Sequence, residues 1–422
     1  MSVTDRFTSS TATARRSGSP APAPAQAAPA QTPVVLVGLV LAAALGIAVT
    51  AVAGVSMLWL YLIGLALGLV LFHSRFGFTS AWRQLVAVRQ GRALRAHMLM
   101  LAAASILFAP ILAGGVSLAG PAEGFVYPVG ISVAVGAFLF GIGMQLGGSC
   151  ASGTLFSVGS GQTAILLTLA GFIGGSVVGA YHFVFWSEEV PTGPAVSLAD
   201  TPLGYPGALA ISLTVMGAIA AATVLVARRR RRPELAQPPV AGGWARALRG
   251  SWPLWVGALL LAGLNALTLL TSGKPWGVTS AFALWGSKLL AALGGDVSSW
   301  PYWANPDNAP ILAGPVLADR TSVMDFGIIL GALVASAAAG SFVVHRRIPG
   351  KLALGAVIGG LLMGYGARIA YGCNIGAYFG GIASFSLHGW MWGLVAIVGT
   401  LAGLRLRPLF GLTNPKPDDA VC

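Results

Sequence analysis

The sequence predicts an all-α polytopic membrane protein of about ten transmembrane helices, arranged as two inverted repeats with short re-entrant helices around a central pathway. Three observations lead there. The 422 residues are 56% apolar and only 9% charged, too apolar for a water-soluble chain of this size. Apolar stretches of about 17 to 25 residues recur along the chain, each long enough to cross a bilayer. Two motifs also recur in the same order in both halves. The 58 glycines, clustered rather than spread, speak for close helix packing or broken helices.

Residues 1–32 are rich in Ser, Thr, Ala and Pro without an apolar core and are expected to be disordered. The pair Arg15 and Arg16 lies too far from the first apolar run to suggest an export signal. Ten spans follow, at 33–53, 55–72, 95–115, 125–146, 162–186, 205–227, 253–271, 324–344, 352–371 and 389–405. Only Gly54 separates the first two. This divides the chain into a first membrane repeat (33–227), a basic linker (228–252), a second repeat (253–407) and a polar tail (408–422).

The formal net charge of +13 is not a nucleic-acid footprint, because the basic residues sit in blocks between apolar runs. Arg75, Arg83, Arg89, Arg92 and Arg95 follow the second span; Arg228 to Arg232, Arg246 and Arg249 follow the sixth; Arg346, Arg347 and Lys351 follow the eighth. The loops after the third and fifth spans carry only Glu123, and Glu188, Glu189 and Asp200. With positive loops on the inner side, both termini are expected in the cytoplasm.

Phe76-Gly-Phe-Thr-Ser-Ala-Trp82 matches Trp276-Gly-Val-Thr-Ser-Ala-Phe282, and Gly141-x-Gly143-x6-Cys150-x-x-Gly153 matches Gly364-x-Gly366-x6-Cys373-x-x-Gly376. Pairing the second span with the seventh shifts the halves by an odd number of crossings, which inverts one relative to the other. Cys150 and Cys373 then lie on stretches (147–161 and 372–388) too short to span and too apolar for free loops. Re-entrant elements dipping from opposite faces fit them best and bring the two thiols together near the midplane.

The small residues Gly147, Gly148, Ser149 and Gly153 around Cys150, and Gly372, Asn374 and Gly376 around Cys373, would expose backbone N–H groups at the start of short helices, where an anion is the natural guest. Carboxylates are confined to tails, loops or span edges such as Asp325, which argues against a carboxylate proton relay. Arg368, inside the ninth span, and Gln145, its repeat counterpart, are candidate donors to the anion. Thr79-Ser80 and Thr279-Ser280 start a second pair of short helices or cap them. Trp276, His388 and Trp390 read as interfacial residues. A neutral S–H is a weak donor suited to a soft sulfur acceptor, and weak binding permits release to the next site. A membrane sulfurtransferase or thiol redox protein using a Cys150/Cys373 persulfide or disulfide is the alternative. Nothing in the sequence asks for a metal or cofactor.

The stretches GIGMQLGGSCASGT (141–154) and GYGARIAYGCNIGAYFGGIAS (364–384), together with RFGFTSAW and KPWGVTSAF, resemble the YeeE/YedE family of sulfur transporters. The resemblance implies a multi-pass inner-membrane protein that imports thiosulfate or a related sulfur or selenium anion, not an enzyme. It implies that Cys150 and Cys373 relay the ion through S–H hydrogen bonds, and that a small soluble sulfur-carrier protein receives the product. Family members of the thiosulfate type often carry a further cysteine where this chain has Gly77, with Gly277 in the second half.

Overall fold

The computed structural model describes residues 28–229, 243–344 and 347–416. The expected disordered tail up to residue 27, most of the Arg228–Arg232 block and Cys422 lie outside the described residues.

The first helix, α1 (Thr32–Ser74), has 43 residues and would reach about 64 Å if straight, twice a bilayer core. It breaks at Gly54, whose φ of 81° and ψ of −178° suit glycine alone. The Tyr61 hydroxyl donates to the Ala42 carbonyl at 2.9 Å, so the two arms fold onto each other. Among the described residues nine helical segments are long and apolar enough to cross a membrane, and the break in α1 divides the first of them into two crossings.

A short helix α2 (Phe78–Val88) precedes α3 (Arg92–Gly114), and α4 (Ile131–Leu146) runs into a second short helix, α5 (Ala151–Gly159). The first half closes with α6 (Thr163–Tyr181) and α7 (Gly204–Arg228). In the second half α8 (Leu254–Ser272) leads to the short α9 (Thr279–Ala292), then α10 (Arg320–Ala338) and α11 (Gly350–Ile369). A π-helical stretch (Asn374–Gly380) continued by Gly381–Ala383 forms α12, and α13 spans Leu387–Leu406. Two small antiparallel ribbons tie loops, β1 (Val116–Ser117) with β2 (Gly120–Pro121), and β3 (Pro128–Gly130) with β4 (Thr192–Ala195).

The packing comes in matched pairs. The contact of α1 with α10 has its counterpart in α8 with α3, that of α6 with α11 in α13 with α4, and that of α5 with α10 in α12 with α3. Glycines make these contacts close. On α11, a Cβ added at Gly360 would run into the Thr168 carbonyl of α6, and one at Gly364 into that of Phe172. Such small-residue seams replace the hydrophobic drive that lipid removes. They also give direction: Gly171 and Gly175 meet Val357 and Leu361, so α6 and α11 run parallel. Gly136 meets Gly366 while Gly143 meets Gly359, so α4 and α11 run antiparallel.

Two expectations are corrected. The eighth span was expected to begin at 324, but α10 begins at Arg320, because the Asp319 carboxylate accepts from the Ser322 backbone N–H at 2.8 Å and from its hydroxyl at 2.6 Å. Hydropathy overlooks a capped polar turn. Asp325 is therefore no span-edge residue: it lies in the second turn of α10 at 0% exposure, and the membrane region does hold a buried carboxyl. Trp276 and His388 are not interfacial either. Both are buried, the Trp276 N–H on Asn265 Oδ1 at 2.8 Å and His388 Nε2 on the Ala370 carbonyl at 3.0 Å, because the segments beside the short helices fold into the core. Removing the cap with Asp319→Ala should cost about 1 kcal/mol, read as a lower thermal midpoint of the detergent-solubilised protein; an unchanged midpoint would show that the α10 start is held by packing alone.

Candidate functional site

Both cysteines stand at helix starts created by a left-handed turn. After α4, Gly147 hands on to Gly148 (φ 85°), and Cys150, extended, is the N-cap of α5. After α11, Tyr371 (φ 57°) and Gly372 (φ 145°) turn the chain, and Cys373 is the N-cap of α12. A β-carbon would strain the backbone at Gly148 and Gly372. The first turn is fixed by the Thr168 hydroxyl on the Gly147 carbonyl (3.0 Å), the Thr154 hydroxyl on the Cys150 carbonyl (2.8 Å) and Ser149 Oγ beside Thr154 Oγ1 (2.9 Å).

Each sulfur faces the positive end of its own short helix. Cys373 Sγ accepts from the Ile375 N–H at 3.4 Å and is also faced by that of Gly376. Cys150 Sγ lies 3.7 Å from Ser152 Oγ and is approached by the N–H groups of Gly153 and of Phe78, the latter from the start of α2. Both cysteines are 1% exposed, α5 touches α12, and the two thiols are near enough to act on one another electrostatically.

Gln145 and Arg368, five residues before each cysteine, do matching jobs. Gln145 Nε2 donates to the Thr79 carbonyl at 3.3 Å, and Arg368 Nη2 to the Thr279 carbonyl at 3.1 Å. Each thereby ties the end of a long helix to the first turn of α2 or α9. Arg368 Nη1 also donates to the Tyr302 hydroxyl at 2.6 Å, with the guanidinium 5.2 Å from that ring centre. The Ser80 hydroxyl turns back to the Gly77 carbonyl (3.2 Å), and that of Ser280 bonds Thr321 (2.9 Å).

Several buried polar atoms in this region have no protein partner: Thr79 Oγ1, Gln145 Oε1, both amide atoms of Asn374, both carboxyl oxygens of Asp325, and the indole N–H groups of Trp82 and Trp392. Protein interiors leave few such atoms. Comparable atoms occur on Ser105, Ser132, Ser176, Ser212 and Thr400.

Sequence reasoning placed Asp325 at a span edge and missed a cluster beyond Cys373. Tyr127 stacks on Tyr371 with ring centres 5.1 Å apart, His388 meets Tyr127 edge-on at 5.4 Å, and Arg320 and Arg368 both act electrostatically on Tyr127. Tyr371, directly before Gly372-Cys373, was a visible signal. Tyr127 comes from a loop and Tyr302 from the short helix Pro301–Ala304, neither with a sequence relation to it.

Fold and site together define a multi-pass membrane protein organised around two helix-capping thiols. The chain belongs to the family described as Sulphur transport, which matches residues 73–402, as the cysteine motifs had indicated. It is similar to the thiosulfate transporter TsuA of Spirochaeta thermophila, with 29% identity over 359 residues, covering 82% of this chain and 98% of that protein. TsuA of Escherichia coli K12 is 27% identical over 354 residues, 79% of this chain and 90% of the relative. The probable transporter YedE of the same organism matches a shorter part, 34% over 158 residues, 36% of this chain and 38% of the relative. Transport is the function class these relatives support for the chain.

Proposed function

We propose that this protein imports thiosulfate, or a closely related sulfur or selenium anion, across the inner membrane by passing it between Cys373 and Cys150. The observation that carries the reading is the pair of buried thiols, each capping a short helix, on two helices that touch. The N-termini of α5 and α12 favour negative charge, and the S–H groups offer weak hydrogen bonds that a soft sulfur atom accepts and leaves easily. An inverted arrangement of the halves is supported by the matched helix contacts and by the antiparallel course of α4 and α11. With basic loops inside, both termini are cytoplasmic, and Cys373, Arg368 and the tyrosine cluster face the outer side. A soluble sulfur carrier would receive the anion within.

Uptake of sulfur-labelled thiosulfate by proteoliposomes, with sulfate and selenium oxyanions as competitors, tests this; uptake no greater than in empty liposomes would sink it. Arg368→Lys keeps the charge but cannot hold Tyr302 and Thr279 at once with a planar fork. Its expected effect is a several-fold rise in the KM for thiosulfate, about 1 kcal/mol of lost binding, read from concentration series in the same vesicles.

A further inference from the structure

Asp325 is the one carboxyl among the described residues that is fully buried in a membrane-crossing helix, and neither of its oxygens has a hydrogen-bond donor. Ionised in that setting it would cost several kcal/mol. The elements packed on α10 supply no cation to it. On α1, the Tyr61 hydroxyl is bonded to Ala42 and His73 stacks on Trp252; on α9, Lys288 donates to the Leu312 carbonyl. Arg246 and Arg249, on the short helix near the far end of α10, donate to the carbonyls of Ser251 and Ala28, and Arg320, on α10 itself, donates to Ser272. The titratable group at the start of α5 is its N-cap, Cys150. The groups that act on Asp325 electrostatically are Asp319 and Cys373.

A second observation comes from the other half. Counted from the first residue of each helix, Asp325 is the sixth of α10, and the sixth of the matching helix α3 is His97. His97 is also buried, with Nδ1 unpartnered, between the rings of Phe76 and Phe78, the residue whose N–H approaches Cys150. Each of these two helices thus carries a buried ionisable side chain in its second turn.

We propose that Asp325 binds a proton together with the anion, so that uptake is a symport of the anion with a proton. The inference rests on the transport reading and adds its energy source. A protonated Asp325 presents a neutral hydrogen-bond donor near Cys373. Once ionised, it presents a negative charge that repels an arriving anion. Linkage makes the effect mutual: the anion favours the proton and the proton favours the anion.

The test uses full-length protein in proteoliposomes, with thiosulfate as probe and a pH dye trapped inside. For the wild type, uptake should fall as pH rises, approaching about tenfold per unit where the carboxyl ionises, and thiosulfate entry should acidify the lumen. Asp325→Asn, permanently neutral, should take up thiosulfate at a rate independent of pH, without acidification; Asp325→Glu should restore both dependences. Wild-type uptake that is flat with pH and leaves the lumen unchanged would overturn the symport whatever the variants do, as would an Asn variant that still acidifies. A wild type that takes up no thiosulfate would overturn the transport reading and the symport with it.

Discussion

If the proposed relay is right, Cys150→Ala and Cys373→Ala should each lower thiosulfate uptake by about tenfold or more, whereas Cys150→Ser and Cys373→Ser should keep a measurable part of it. Tenfold corresponds to about 1.4 kcal/mol of barrier, the scale of one lost weak hydrogen bond together with the desolvation that it offset. The expectation follows from where the sulfurs stand. Each is buried at a helix start that already favours an anion, so the side chain adds a donor to a site whose backbone dipoles remain in the variant. A hydroxyl can donate as the thiol does, but it cannot carry a persulfide or form a disulfide. If the serine variants are as dead as the alanine ones while all four proteins purify normally, the hydrogen-bond relay is wrong and obligatory sulfur chemistry at these positions takes its place.

The largest structural effect is expected at the seam between α6 and α11. Gly360→Val and Gly364→Val would each drive a branched side chain into backbone: the Thr168 carbonyl and Phe172 nitrogen in one case, the Phe172 carbonyl and Ser176 nitrogen in the other. Backbone cannot rotate aside as a side chain can, so the helices must separate. The cost should reach about 3 kcal/mol, the upper end for overpacking, enough to remove the monodisperse peak in size-exclusion chromatography. Gly217→Ala on α7, where a Cβ meets nothing within 4 Å, is the control and should leave the peak unchanged. Normal elution of both valine variants would mean that the seam yields more readily than its geometry implies.

Most of the crossings could be read from hydropathy, because a run of about twenty apolar residues has few other uses. The short helices could be read only from the repeat. Their compositions alone are ordinary, but two cysteines at equivalent positions are not. What stayed hidden has two physical causes. A hydropathy window averages over many residues and ignores caps, so the start of α10 was put a turn late and Asp325 with it; the signal was Asp319, three residues before Ser322. The other cause is convergence in space: Tyr127, Tyr302, Tyr371 and Arg320 belong to separate loops or helix ends and meet only in the folded chain. The sequence offered Gln145 and Arg368 as candidate anion donors, and their bonds to the Thr79 and Thr279 carbonyls required coordinates.

The glycine seams also bear on how an ion could move. Where backbones lie against each other with no intervening side chains, sliding or hinging one half past the other would open gaps that nothing can fill. A rocker-switch cycle, with whole bundles swinging between inward and outward states, is therefore a poor fit to this frame. A fixed frame leaves any motion to side chains, and the Trp82 ring packs on those of both Tyr378 and Trp392.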